Sequence, residues 1–473
     1  MRRFREHLTL AFIALLPFHA LLVTVGTKLI LGPGHAPMPM LAGWKEGLLA
    51  LILVFAALEF VTSGKRKAVS GKFDFVDALI GALFVIALLL PKTNFLFGFK
   101  YDFIPLIAFV MLRRVPWSDQ FKSNAMNLIL IVGTIVAAYG ILSFWLPEKF
   151  FYMLGYSDAH SLYLPNSPLA AVQQISGTSI RRIQSVMSGP NQLGIWLLIP
   201  LSIYSDKLLS TSRKWKIFSI FNFQFSILLI ALVLTFSRSA WIAAFVIACV
   251  ALFKNFSKKC TPYVFAGGGA VLLTALVLIW VWPAVFVRSI SLQGHLERPM
   301  QAIRVMIDQP FGLGLGSAGP AANRIHPPCV FLHDGDDASW AKTNPDLCVF
   351  VGNVQVQPVT PCDCPLIPEN WYLQVGVELG WVGFTLYCAL IVIILRRLAV
   401  ESGSLDALGR KVGSKLSVFH FQFSTLLLFF GITLAALFLH AWEDSAVAYT
   451  AWVLVAGIIR PWSTLAAPVL SER

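Results

Sequence analysis

Long apolar runs separated by short polar segments dominate the chain. A helix that crosses a bilayer needs roughly 17–25 apolar residues, and twelve segments fit or approach that length. The predicted spans are 8–31, 46–63, 74–91, 102–113, 126–146, 191–206, 216–235, 238–254, 262–287, 371–395, 416–440 and 445–463. Because helices satisfy their own backbone polar groups in lipid, the pattern predicts an all-α polytopic membrane protein. We expect a single integral-membrane domain over residues 1–473.

The composition supports a membrane protein and sets aside other classes. The chain is 57% hydrophobic and 13% charged, whereas soluble domains are about 45–50% apolar and about 25% charged. In a soluble protein the net charge of +13 would suggest nucleic acid. Here the lysines and arginines cluster in every second loop, which is the pattern that sets membrane orientation. We therefore predict cytoplasmic N- and C-termini, contact with the lipid bilayer and no nucleic-acid partner.

Two predicted outer segments, 147–190 and 288–370, are longer than connecting loops need to be. Long ordered loops commonly carry function. Near 296–309 the second segment has helical periodicity, which predicts an amphipathic helix that either lies in the membrane interface or covers the spans. Its expected apolar stripe is Leu296, Met300, Ile303 and Ile307.

Seven arginines fall on the predicted outer side, against the topological bias. They are Arg181, Arg182, Arg238, Arg288, Arg298, Arg304 and Arg324. Arginine is a permanently charged, bidentate partner for phosphate, so the set favours a site for a diphosphate-bearing lipid over simple headgroup contacts or local ion pairs. Arg238 is the most informative, because Thr235-Phe-Ser-Arg-Ser-Ala-Trp241 forms a tight junction between two spans.

Two further segments of the predicted outer side have features of a site. Gly189-Pro190-Asn191 predicts a helix start, where free N–H groups attract anions and Asn191 acts as a cap or a supporting residue. The segment Phe311-Gly-Leu-Gly-Leu-Gly-Ser-Ala-Gly-Pro320 lacks the lysine of a nucleotide-binding loop. Close backbone packing and N–H groups beside an anion both remain open for it.

Four cysteines, Cys329, Cys348, Cys362 and Cys364, lie in the long outer segment. Disulfides persist outside the cytoplasm, and pairing the first two with the last two gives two bridges without a strained short ring. Free thiols are one alternative. A zinc site with His326 and His333 is another, although the spacing matches no usual ligand pattern. We predict no metal and no cofactor.

Glu369 and Asn370 stand at the outer mouth of the tenth predicted span. A carboxylate beside arginines and apolar surface can act as a general base, although a glutamate in a first helical turn also stabilises the helix. His333 and His295 follow Glu369 as candidate bases. Glu378, deeper in the span, should face the bundle interior.

Four stretches together resemble the O-antigen ligase and polymerase superfamily: 182–194, 235–241, 294–298 with 310–319, and 369–383. The resemblance covers roughly residues 95–460. It implies a twelve-span glycosyltransferase of the GT-C type in the bacterial inner membrane. Its donor would be an undecaprenyl-diphosphate-linked glycan on the periplasmic face. A hydroxyl of lipid A core, another glycan or a protein would attack with inversion and without a metal.

The resemblance also suggests roles for residues. Arg238 matches the family's serine–arginine element, and Arg298, or else Arg304, matches the arginine after the ninth span. With Arg182 they would hold the diphosphate and stabilise its developing charge. Many ligases carry a histidine where this chain has Glu369, which leaves the base, and the choice between ligase and polymerase, open.

A transporter or flippase of an anionic lipid is the alternative of another class. That function predicts ionisable residues at mid-membrane and paired, interrupted halves. The predicted spans are nearly free of charge and the chain shows no internal repeat, so the pattern favours the enzyme.

Overall fold

The computed structural model describes most of the chain, and all structural statements concern that part. The described residues are 1–63, 73–91, 94–158, 167–175, 178, 180–210, 220–255, 277, 280–282, 289–322, 329–332, 337–345, 347–352, 354–362, 364–412 and 416–461. Most of the predicted ninth span, 262–287, lies outside them. So do four predicted site or ligand residues: Arg288, Arg324, His326 and His333.

α-Helices, most of them apolar, make up most of the described chain. They are α1 (Arg2–Leu15), α2 (His19–Leu31), α3 (Pro39–Ala42), α4 (Trp44–Ser63), α5 (Phe75–Leu89), α6 (Phe95–Asp102), α7 (Ile104–Leu112), α8 (Asp119–Ser143), α9 (Glu148–Met153), α10 (Pro190–Ser210), α11 (Ile220–Leu234), α12 (Arg238–Asn255), α13 (Ser289–Asp308), α14 (Gly319–Ala322), α15 (Trp371–Val412), α16 (Leu416–Ala435) and α17 (Ser445–Ala456). The predicted helical class is confirmed.

Several of these helices are long and apolar enough to cross a membrane. Within the described residues there are four such stretches, Arg2–Leu31, Pro39–Thr62, Asp119–Ser143 and Trp371–Gly403. A fifth results if α6 and α7, which meet at a 43° bend, form one span. Five shorter apolar helices accompany them. The count of twelve stays a prediction.

Helix α10 forms the centre of the bundle and packs against α8, α11, α12 and α16. Its residues from Leu193 to Ile203 are almost all buried, because a helix that is apolar on every side is stable only when other helices surround it. Gly194 allows close approach to α12, since a Cβ at this position would lie 3.0 Å from the Cβ of Ala240. The sixth predicted span is therefore a core helix that positions its neighbours.

Partly buried ion pairs connect α15 to neighbouring segments at one end of the bundle. Arg397 donates to Asp74 at 2.7 Å, and Arg114 donates to Asp77 at 2.7 Å. Arg113 contacts both of these aspartates. The other end of α15, where α10 and α12 also begin, is called the site end below. The two ends of the bundle thus differ in the chemistry of their charged groups.

The glycine-rich segment 310–319 packs into a break in α15. Gly380 interrupts that helix with a φ of 69°. Beside the break, the N–H of Gly314 donates to the backbone oxygen of Glu378 at 2.9 Å, and the N–H of Gly316 donates to its Oε1 at 3.1 Å. Glu378 is 1% exposed and faces the bundle interior. Of the two possibilities for this segment, the structure shows close backbone packing.

A small β-structure precedes α15. Strand β3 (Cys329–Leu332) pairs in parallel with β4 (Cys348–Val351), which pairs antiparallel with β5 (Val354–Gln357). A two-residue pair, β1 (Gln173–Gln174) with β2 (Arg181–Arg182), lies elsewhere. Disulfides join Cys329 to Cys364 and Cys348 to Cys362, which is one of the two cross pairings that the sequence allowed.

The amphipathic helix α13 does not turn its predicted apolar stripe toward the bundle. Ala302 and Met306 are buried, whereas Leu296, Met300 and Ile307 of the expected apolar stripe are 64%, 55% and 63% exposed. The small and flexible side chains fit the close contact with α15. The apolar stripe points outward, so it does not cover the spans.

Candidate functional site

Glu369 is the centre of a charged cluster at the site end. It directly precedes Asn370 and α15, and α13 runs past it with two polar side chains on the facing side. Nδ1 of His295 lies 2.6 Å from Oε2 of Glu369, and Nη1 of Arg298 donates to Oε1. His295 and Arg298 are three residues apart, so they share one face of the helix. Both carboxylate oxygens are therefore bound.

The charge of Glu369 is stabilised by its neighbours. Burial raises the pKa of this carboxyl, but the hydrogen bond from His295 and the charge of Arg298 lower it more, so the pKa lies below its ordinary value. Arg238 also attracts Glu369 electrostatically. The carboxylate thus stays ionised at neutral pH and serves better as a hydrogen-bond acceptor than as a proton acceptor.

His440 fixes Glu369 through the backbone. The N–H of Glu369 donates to Nε2 of His440 at 3.1 Å, and Nδ1 of His440 contacts Oε1 of Gln374. Because a backbone N–H only donates, this network assigns the proton of His440 to Nδ1. Burial and the nearby charge of Arg298 lower the pKa of His440 to about 4. The imidazole is therefore neutral and positions the carboxylate.

Three non-glycine residues of the described chain have a left-handed backbone, and each lies in one of the motif stretches. They are Ser185 (φ 54°), Phe236 (φ 51°) and Glu369 (φ 52°). Each such residue costs about 1–3 kcal/mol, and such strain concentrates at functional sites. At Glu369 the hydrogen bond to His440 holds this conformation, and with it the direction of the carboxylate.

Arg238 is the first residue of α12, directly after the left-handed turn at Phe236. Arg182 binds this turn through its guanidinium group. Its Nε donates to the backbone oxygen of Thr235 at 2.9 Å, and one Nη donates to Oδ1 of Asn191 at 2.7 Å. Arg182 therefore links Asn191 to the turn. Their visible role is to position Arg238 at the positive end of α12.

Asn370 supports the same site. Its Oδ1 accepts from the N–H of Leu373 at 3.0 Å and so caps α15, while its Nδ2 donates to the backbone oxygen of Leu437 at 2.9 Å. The cap fixes the start of α15. The second bond ties it to the turn that carries His440.

The structure brings together part of the predicted set. His295 and Arg298 both contact Glu369, and Arg238 interacts with Glu369 electrostatically. Arg304 is exposed and lies six positions beyond Arg298, on a different face of α13. His333 lies outside the described residues. Of the two arginines weighed for the position after the ninth span, Arg298 is thus the one at the cluster.

The sequence analysis did not predict two residues of the cluster, His440 and Gln374. His440 follows α16 in the junction before α17, which is the same kind of tight junction that made Arg238 conspicuous. The position of His440 in the predicted topology could therefore have indicated that it belongs to the site. For Gln374, on the first turn of α15, the sequence contains no such indication.

The arrangement combines cationic anion-binding groups with an acid–base pair. Arg238 and Arg298 carry fixed positive charge, and His295 with Glu369 forms a hydrogen-bonded imidazole–carboxylate pair. Among the described residues, no group of three or more His, Cys, Asp and Glu side chains is placed to hold a metal ion. The chemistry available from these side chains is anion stabilisation with proton transfer.

One segment of the chain matches a known protein family. Residues 223–337 match a family model described as O-antigen ligase, about a quarter of the chain. The matched segment contains Arg238, His295 and Arg298, while Glu369 and His440 follow it. No curated protein matches the chain significantly. The match confirms the resemblance to the O-antigen ligase superfamily, whose members transfer glycans, and the apolar helices agree with a membrane protein.

Proposed function

Starting from the O-antigen ligase character of residues 223–337, we propose that this protein transfers a glycan from a lipid diphosphate to an acceptor hydroxyl. The donor is an undecaprenyl-diphosphate-linked glycan. The acceptor is lipid A core, a growing glycan or a protein. The observation that carries the proposal is the convergence of Arg298, His295 and Arg238 on Glu369. Cations beside an acid–base pair suit a reaction that releases an anion.

The arginines handle the leaving group in this proposal. As the bond between the anomeric carbon and the diphosphate oxygen breaks, negative charge grows on the diphosphate. Arg238 and Arg298 meet that charge, and the N-terminus of α12 adds its dipole. Fixed guanidinium groups supply this stabilisation without a metal ion.

His295 accepts the proton of the acceptor hydroxyl. Its Nδ1 faces Oε2 of Glu369 at 2.6 Å, so Nε2 is the nitrogen available to a substrate. The hydroxyl oxygen bonds to the anomeric carbon from the side opposite the diphosphate, which inverts the configuration. Glu369 orients the imidazole and stabilises the imidazolium that forms. This assignment reorders the candidates from the sequence, which put Glu369 first as the base.

The proposal includes the protein's location and fold type. With twelve spans and both termini in the cytoplasm, the site end faces the periplasm of a bacterial inner membrane. Support comes from the basic residues at the other end of α15, where Arg113, Arg114 and Arg397 are ion-paired, as expected for a cytoplasmic face. In this proposal the architecture is of the GT-C type.

A transfer assay tests the proposal. Purified full-length protein is incubated with an undecaprenyl-diphosphate-linked oligosaccharide and each acceptor class, and the products are analysed by mass spectrometry. An acceptor heavier by the glycan, with free undecaprenyl diphosphate, is expected for one class. NMR of the new linkage should show inversion. Recovery of the donor intact with every acceptor contradicts the proposal.

Reconstituted vesicles separate the enzyme from a transporter. A flippase would move the lipid-linked donor between leaflets while its covalent structure stays unchanged. Movement without a new glycosidic bond would favour the transporter.

A further inference from the structure

The three-stranded sheet presents an aromatic pair to the charged cluster. Phe331 of β3 and Phe350 of β4 are register partners. Their ring centroids lie 5.1 Å apart with an interplanar angle of 20°. Phe331 is 46% exposed, although large aromatic side chains usually find apolar cover. The two rings therefore stack on each other, and the part of Phe331 that Phe350 and the sheet do not cover is accessible to solvent.

The opposite face of the sheet already has its packing partners. Val330 and Val349 are buried in a small core with Ala341 and Leu347. Because side chains alternate across a strand, the phenylalanines lie on the face that this core does not cover. Hydrophobic packing of the sheet therefore does not account for the exposed rings.

The aromatic pair is fixed close to the reacting groups. The guanidinium carbon of Arg298 lies 6.0 Å from the centroid of the Phe331 ring, and the same guanidinium binds Glu369. Disulfides link β3 to Cys364 and β4 to Cys362, and the chain reaches Glu369 only five residues after Cys364. A short covalent path thus ties the rings to Glu369.

We propose that Phe331 and Phe350 form a subsite for a pyranose ring of the glycan. This inference rests on the proposed function and specifies where the sugar lies. A pyranose has a flat face of C–H groups and a rim of hydroxyls. The exposed part of this stacked pair suits the first, and Arg298, whose guanidinium lies over the Phe331 ring, offers donors to the second. Binding sites commonly combine aromatic walls with a few placed polar groups.

Steady-state kinetics of phenylalanine variants test the subsite. The substrates are an undecaprenyl-diphosphate-linked oligosaccharide and the acceptor that wild type uses. Phe331→Leu and Phe350→Ala should raise the KM of one of them about tenfold, the loss of about 1.4 kcal/mol of binding, with kcat within about twofold. The substrate whose KM rises identifies the donor or the acceptor side. Phe331→Tyr keeps the ring and should restore the KM.

Matched controls separate a binding effect from misfolding. Val359→Ala removes an exposed apolar side chain just after β5 and should leave both KM values unchanged. Mapping of the two disulfides by non-reducing mass spectrometry checks that each variant is folded. Unchanged KM values for both substrates in Phe331→Leu and Phe350→Ala would overturn the subsite.

A direct binding measurement distinguishes failure of the subsite from failure of the proposed function. The probe is the oligosaccharide released from the lipid by mild acid, observed by saturation-transfer NMR with wild type and variants. Binding that weakens in Phe350→Ala supports the subsite even if wild type transfers nothing, in which case only the proposed reaction fails. Equal binding by wild type and Phe350→Ala, or no binding by wild type, overturns the subsite whatever the transfer assay shows.

Discussion

His440 binds Glu369 through the backbone and leaves both carboxylate oxygens to other partners. Its Nε2 accepts from the N–H of Glu369 at 3.1 Å, while His295 and Arg298 occupy the carboxylate. One histidine therefore fixes the chain conformation, and the other is the proposed base. This division of roles leads to different expectations for the two residues.

His440 should make stability depend on pH. Burial and the charge of Arg298 lower its folded pKa to about 4 from 6.5, so the unfolded chain binds the proton more tightly. The contribution of neutral His440 to the free energy of unfolding is complete above about pH 6.5. It is lost as pH falls towards 4, and the loss is at most about 3 kcal/mol. We expect the Tm of wild type to fall over this range more steeply than that of His440→Gln, which keeps an acceptor and a donor. Equal slopes in thermal-shift titrations would contradict this.

Arg238 should be required for transfer. Arg238→Ala removes a fixed charge from the leaving group and should lower kcat about 100-fold or more, as for loss of one oxyanion-stabilising donor. Arg238→Lys keeps the charge without the bidentate geometry, so its kcat should lie between those of wild type and Arg238→Ala. Arg304→Ala is the matched control, because Arg304 is exposed on another face of α13, and should retain activity within about twofold. Wild-type rates in Arg238→Ala would remove this residue from the mechanism.

The imidazole–carboxylate pair should behave as a unit. If His295 is the base, His295→Ala lowers kcat about 100-fold, and Glu369→Gln lowers it less because the glutamine oxygen still orients the ring. The double variant should then be no slower than His295→Ala, since paired groups are not additive. Rates and protein yield of the three variants provide the measurement. A larger loss in Glu369→Gln than in His295→Ala would make Glu369 the base.

The disulfides should stabilise the small sheet. Replacing Cys348 and Cys362 by serine opens a bridge with a sequence separation of 14 residues, which typically removes about 3 kcal/mol. We expect faster proteolysis between residues 329 and 364 and a lower Tm. Cys388→Ser is the control, because Cys388 is a free cysteine. Equal protease resistance in the double variant and wild type would contradict the prediction.

Chelation should leave transfer intact. The proposed charge stabilisation comes from Arg238 and Arg298, which need no ion. Activity after EDTA treatment and buffer exchange should equal that of untreated protein. Inhibition by EDTA that Mg²⁺ or Mn²⁺ reverses would contradict the metal-free scheme.

The convergence of Arg238 and Glu369 at one end of the bundle could be predicted, because both flank predicted spans and span ends share a membrane face. The presence of Arg298 in the site could also be predicted, because it lies near the start of an amphipathic helix. The orientation of that helix could not be predicted. Periodicity identified the stripe of Leu296, Met300 and Ile307 but carries no information about what covers it. In a membrane protein the outward side can be the apolar one.

His440 and Gln374 show why the rest of the site needed coordinates. Their roles depend on a backbone hydrogen bond and on the left-handed conformation of Glu369, which local sequence does not specify for a glutamate. The break in α15 at Gly380 could not be predicted from the sequence either. It forms because the distant segment 310–319 supplies hydrogen-bond partners there.

The cluster draws its members from α12, α13, the start of α15 and the junction before α17. Ribosomal synthesis delivers these parts in order, and His440, which binds the Glu369 backbone, comes 202 residues after Arg238. A nascent chain halted before His440 would have the guanidinium groups but no fixed carboxylate.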